Sequence, residues 1–136
     1  MKEITHKEFD QEVINGGKVV VDFYSTECPP CEALAPKFES LSELYGEEIK
    51  FVKIFRQENR DLAESLDING SPTVIFYDNG KLVGDKLAGG IKRSELIENL
   101  NKLIPEDHVR KIKQKIHPKV SEYDVLILGG GPAGLT

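Results

Sequence analysis

Cysteine is nearly absent from this chain: Cys28 and Cys31 are the only two among 136 residues. That excludes a secreted scaffold held together by several disulfides. A bridge across two intervening residues would restrict the unfolded chain too little to act as a staple. Two thiols also fall short of a four-ligand zinc site, and the three histidines, His6, His108 and His117, are scattered along the sequence. No metal ligation is expected. Long apolar runs are missing as well; none approaches the roughly 20 residues that a membrane helix requires. The start, MKEITHKEFD, lacks the basic residues and apolar stretch of a secretory signal. A cytoplasmic protein with no membrane contact is expected.

An excess of basic residues is also lacking. The net charge is −5, and residues 1–104 carry thirteen Lys/Arg against nineteen Asp/Glu. Nucleic-acid binding, in which phosphate neutralisation dominates affinity, is not expected from such a body. Residues 105–136 carry five Lys/Arg and four Asp/Glu, a balance of +1. What is present is globular: 39% apolar and 30% charged residues, in a length that suits one domain with its own core.

Thr5-x-x-Glu8 has the form of a capping box, with Phe9, Val13 and Ile14 following at helical spacing and Asn15-Gly16-Gly17 stopping the helix. KVVVDFYS (18–25) reads as a buried strand. Leu34, Phe38, Leu41 and Leu44–Tyr45 then mark an amphipathic helix that starts at Pro29 or Pro30 and ends at Gly46. A strand over 49–55 and a short helix over 59–66 follow. PTVIFY (72–77), the turn Asp78-Asn79-Gly80 and KLVGDKL (81–87) predict a hairpin, and a last amphipathic helix runs from Ser94 to Ile104. The order α-β-α-β-α-β-β-α predicts an α/β fold: one central mixed sheet with helices on both faces. Pro105 ends this unit, and residues 105–121 read as a polar linker in which Val109, Ile112 and Ile116 can support a helical stretch.

Proline suits a first helical turn, because its missing N–H had no partner there. Cys28 is therefore expected at a helix N-terminus, with Cys31 one turn in and facing inward. The free amides and dipole of that terminus favour an anion, which makes Cys28 the expected thiolate and nucleophile. Cys31 would resolve the mixed disulfide that Cys28 forms with a substrate.

VVVDFYSTECPPCEALAP (19–36) resembles the active-site segment of the thioredoxin family, with an acid inside the strand, a C-x-P-C pair and a proline within the helix that follows. SPTVIFYDNGKLV (71–83) is similar to that family's cis-proline strand and hairpin. The resemblance covers residues 1–104 and implies the thioredoxin fold and thiol–disulfide exchange with disulfide-containing substrate proteins. It implies that Cys28 attacks, that Cys31 resolves, and that Asp22 is the buried acid moving the proton of the resolving thiol. Lys53 occupies the place of the lysine beside that acid, and Pro72, preceded by Ser71, that of the cis-proline facing the disulfide. Pro36 would kink the helix. The chain departs from the family pattern where a tryptophan commonly precedes the first cysteine; Glu27 stands there and no tryptophan occurs. Glu32 follows Cys31, and the residues between the cysteines are Pro-Pro rather than Gly-Pro. Two carboxylates beside the thiols are expected to oppose thiolate formation and to tune partner choice by charge.

YDVLILGGGPAGLT (123–136) predicts a new strand opening into Gly129-x-Gly131-x-x-Gly134, the context of a dinucleotide-binding loop. It resembles the start of the FAD domain of thioredoxin reductases and related flavoprotein disulfide reductases. On that resemblance, residues 122–136 open a truncated FAD- and NAD(P)H-dependent reductase domain. The chain is then expected to be a fragment of a longer fusion, in which a linker tethers the module to its electron source. Two other readings are a dedicated relay from the flavoprotein to one partner, such as a peroxidase, and a docking module with idle cysteines.

Overall fold

The structure, a computed structural model, describes residues 2–116. Five strands form one sheet in the order β1 (Lys2–Ile4), β3 (Lys50–Phe55), β2 (Lys18–Tyr24), β4 (Thr73–Asp78), β5 (Lys81–Ala88). The first three are mutually parallel, while β4 and β5 run antiparallel to their neighbours. This is the central mixed sheet that the order of elements predicts. The helices are α1 (Pro29–Tyr45), α2 (Arg60–Ser65), α3 (Arg93–Asn101) and α4 (Glu106–Ile116).

Strand β2 lies between two partners and is covered on both faces, which explains its nearly unbroken apolar run. Alternation divides it. Val19, Val21 and Phe23 join Phe9, Val13, Ala63 and Ile68 in one core cluster. Val20 and Asp22 point the other way. Helix α1 buries Leu34, Phe38, Leu41 and Tyr45, and Phe38 meets Phe51 of β3 edge-on at 5.1 Å. Each such side chain removed from water contributes roughly 1.5–3 kcal/mol. The Tyr45 hydroxyl donates to Asn101 Oδ1 at 2.7 Å and links the ends of α1 and α3.

Three elements differ from expectation. Residues 2–4 form an edge strand in register with Val52–Ile54 rather than a lead-in to a helix. With three residues and only Ile4 buried, it carries no readable period. The expected first helix contracts to turns ending in a π-helical turn at Asp10–Ile14. Glu8 nonetheless reaches back to accept the Thr5 amide at 3.0 Å, one half of a capping box. Helix α3 also stops three residues before the expected Ile104.

The hairpin turn falls at Asn79-Gly80, with φ of 53° and 85°. Two consecutive positive φ values match the twist of the flanking strands, and glycine takes the second at no steric cost. The described residues divide into two units, one ending at Ile104 and one beginning at Pro105. The stretch read as a linker opens with α4, whose first turn returns the His108 and Val109 amides to the Pro105 carbonyl, each at 3.0 Å. Gly129, Gly131 and Gly134, and the strand expected before them, lie outside the described residues.

Candidate active site

The sheet delivers the cysteines by ending β2 at Tyr24 and turning the chain before α1. Glu27 makes that turn with φ of 52°, a left-handed conformation that costs a non-glycine residue on the order of 1 kcal/mol. Cys28 then adopts an extended backbone as the N-cap of α1, with prolines at the first two helical positions. Cys28 Sγ accepts the Cys31 amide at 3.2 Å, so sulfur occupies the place where a capping oxygen usually sits. The two residues are joined as a disulfide with Cα atoms 5.2 Å apart. Both are largely covered, Cys28 at 8% and Cys31 at 7% exposure, whereas the sequence led us to expect only Cys31 to face inward.

A loop covers Cys28. The Ser71–Pro72 peptide is cis, Pro72 is buried, and the Ser71 carbonyl oxygen lies 3.5 Å from Cys28 Sγ. The Ser71 hydroxyl is 2.7 Å from the hydroxyl of Ser25, at the end of β2. Thr73 fastens the other side by donating its hydroxyl to the Gly70 carbonyl at 2.8 Å.

Beyond Cys31 opens a cleft of about 300 Å³, lined by Asp22, Tyr24, Cys31, Glu32, Glu39 and Lys53 among others. Asp22 is paired in register with Lys53 on β3 and Val74 on β4, so an acid sits in mid-sheet at 5% exposure. Its Oδ1 is buried without a hydrogen-bond partner. Burial pushes its carboxyl up to about 7, and the Lys53 ammonium offsets only part of that. Lys53 Nζ lies 5.2 Å from the Tyr24 ring centroid, and the Tyr24 hydroxyl donates to Glu3 Oε2 at 2.5 Å. Burial, and then the Glu3 carboxylate, hold that phenol above its ordinary range.

The structure thus brings Cys28, Cys31, Asp22, Lys53 and Pro72 to one end of the sheet. Glu27 and Glu32 flank the cysteines and are exposed. Sequence reasoning passed over the Ser25–Ser71 contact and Gln57, whose Oε1 accepts the Thr26 amide at 3.2 Å and its hydroxyl at 3.0 Å. Ser25 and Ser71 could have been suspected from their positions beside the C-x-P-C and Ser-Pro motifs; Gln57 carried no signal. Among the described residues no group of three or more His, Cys, Asp or Glu could hold a metal ion, and no helix is long and apolar enough to cross a membrane.

Residues 1–102 match the family model of thioredoxin. The chain is 41% identical over 101 residues to thioredoxin of Mycoplasmoides gallisepticum, an alignment covering 74% of this chain and 99% of that one. It is 36% identical over 104 residues to thioredoxin of Listeria monocytogenes, covering 76% and 99%. The crystal structure of Malassezia sympodialis thioredoxin (Mala s 13) superposes with a TM-score of 0.69 at 28% identity, covering 76% of this chain and 90% of that one. The chain belongs to the thioredoxin family, and its Cys28–Cys31 pair makes it a thiol–disulfide oxidoreductase.

Proposed function

We propose that this protein reduces disulfides in substrate proteins, with Asp22 as the proton acceptor for Cys31. In the dithiol state the Cys28 thiolate attacks one substrate sulfur, and the substrate S–S bond breaks as the mixed disulfide forms. The departing substrate sulfur leaves as a thiolate and takes up a proton. Cys31 then gives its proton to an Asp22 oxygen and attacks Cys28 Sγ, expelling the second substrate sulfur as a thiolate that takes the proton back from Asp22. The protein ends in the disulfide form and the substrate has gained two electrons and two protons. An acceptor with a pKa near the working pH best serves such a transfer. The observation carrying this reading is the unpartnered Asp22 Oδ1, buried in the cleft that also reaches Cys31, with its carboxyl pushed up to about 7. Lys53, on the neighbouring strand, would limit the rise of that carboxyl, and Pro72 would present the loop along which a substrate segment lies.

The reading is tested by Cys31→Ser, which should accumulate a stable mixed disulfide between Cys28 and a substrate peptide. Adding Asp22→Asn to the otherwise intact protein should slow release of that peptide. Release at the wild-type rate would remove Asp22 from the mechanism.

The return of electrons is assigned to a thioredoxin reductase-like flavoprotein whose dithiol attacks the Cys28–Cys31 disulfide. FAD and NAD(P)H would supply the hydride chemistry on that partner. Support comes from the likeness of residues 123–136, with Gly129, Gly131 and Gly134, to the opening of such a flavoprotein, which also favours a tethered arrangement. The setting is cytoplasmic, where a reducing pool keeps dithiols available. Oxidation of NADPH or NADH by a thioredoxin reductase, coupled to this protein and insulin, checks the assignment. Turnover with either nucleotide supports it, and turnover with neither overturns it.

A further inference from the structure

A second cavity, of about 330 Å³, lies between the 3-10 turn Arg56–Glu58 and α2. Its wall includes Arg56, Arg60, Glu64, Ile68 and Asn69. Arg56 donates from Nη2 to the Asn69 carbonyl at 3.1 Å, while its Nε is buried with no partner. Lys2, Lys50, Lys86 and Lys102 form ion pairs. Among the described residues neither Arg56 nor Arg60 has a carboxylate within 4.0 Å, although Glu64 shares the cavity wall. Two guanidiniums therefore line one concavity. A carboxylate oxygen is the acceptor whose geometry matches the guanidinium fork.

Position supplies the rest. Ile68 and Asn69 also line a groove of about 430 Å³ that passes Ser71 and Pro72. Asn69 precedes by two residues the Ser71 carbonyl that lies 3.5 Å from Cys28 Sγ, a span of at most about 7 Å along the backbone. A segment whose cysteine engages Cys28 can therefore set a neighbouring side chain into the arginine cavity. The carboxylates of Glu27 and Glu32 belong to the turn and first helical turn bearing the cysteines, so an acidic side chain is directed away from them and toward the arginines.

We propose that Arg56 and Arg60 form a carboxylate-binding pocket that selects protein disulfides carrying an acidic side chain about two residues from the reacting cysteine. This rests on the reading of Cys28 as the attacking thiol. The test uses synthetic disulfide peptides that differ only two residues from the reactive cysteine, with Glu, Gln or Lys there, reduced by the dithiol protein at low ionic strength. The Glu peptide should exceed the Gln peptide in kcat/KM by about fivefold, as expected for a partly exposed charge-assisted contact, with the Lys peptide slowest. The Glu-to-Gln ratio should fall to near one in Arg56→Gln/Arg60→Gln and rise in Glu64→Gln, which removes the competing carboxylate without touching the arginines. A ratio of one in the unaltered protein, or a ratio that persists in the double variant, overturns the pocket. Millimolar inorganic phosphate that abolishes the preference when chloride of equal ionic strength does not would overturn the carboxylate assignment in favour of a phosphate site. Failure to reduce even the Gln peptide would count against the exchange reading itself, not against the pocket.

Discussion

The two faces of the Cys28–Cys31 disulfide are built from different materials. Next to Cys31 the sheet supplies ionisable side chains: Asp22, buried on β2, and Lys53 beside it on β3. Next to Cys28 a loop supplies backbone and hydroxyl groups: the Ser71 carbonyl at 3.5 Å, and the Ser71 hydroxyl held by Ser25. The first arrangement suits the proton transfer proposed above, because its buried acid lines the cleft that reaches Cys31. The second suits a substrate segment, because the groove passing Ser71 and Pro72 offers backbone and hydroxyl contacts next to Cys28. On the proposed mechanism, one covalent pair would separate proton transfer from recognition.

The largest effect should come from removing the resolving thiol. Cys31→Ser is expected to abolish catalytic turnover of insulin and leave one bound peptide per Cys28, read by mass spectrometry. Full turnover would merge the two faces into one.

Asp22→Asn should act only on the proton side. It should slow the resolving step by about 10²-fold or more, the usual worth of a positioned acid–base group, while initial attack by Cys28 changes far less. The same variant has a stability signature. The folded carboxyl titrates near 7 rather than at 3.8, so between those values the native state holds more protons than the unfolded chain. The stability this carboxyl contributes is therefore fully present below pH 3.8 and is lost as pH rises through 7. The loss is on the order of 4 kcal/mol for a group so buried. Asp22→Asn should be flat across that window and more stable than the unaltered protein at pH 8, as measured by urea unfolding.

Ser25→Ala sharpens the recognition side. Losing its hydroxyl bond to Ser71 should cost about 1 kcal/mol of stability and raise KM for a peptide disulfide. The pH profile of the resolving step, which the proposed role of Asp22 would set, should stay where it was; a moved profile would couple the faces. Smallest of all should be Glu27→Gln with Glu32→Lys, a change of about threefold in kcat/KM between acidic and basic peptides, fading in salt because both side chains are exposed.

Much of the site was legible because its signals are local and covalently spaced. Cys28 and Cys31 stand one helical turn apart behind two prolines, and Asp22 interrupts an apolar run where burial of a charge demands a reason. The hairpin followed from Asn79-Gly80, and α1 from a stripe ending in Gly46. What escaped depends on tertiary pairing. Lys2–Ile4 becomes a strand only because β3 offers its edge. Asn59, in a segment read as plain helix, spends its side chain on the His6 amide at 2.7 Å and the Phe55 carbonyl at 2.8 Å. The meeting of Arg56 with Arg60 depends on how the turn after β3 packs on α2, which no period in the sequence encodes.

The most direct measurement is a ¹³C NMR titration of the Asp22 carboxyl in the disulfide form. A midpoint near 7 is the expected result, because burial raises it and Lys53 only partly restrains it. A midpoint in the ordinary carboxylate range, near 3.8, would contradict the account, because Asp22 would then be too weak a base to take the Cys31 proton.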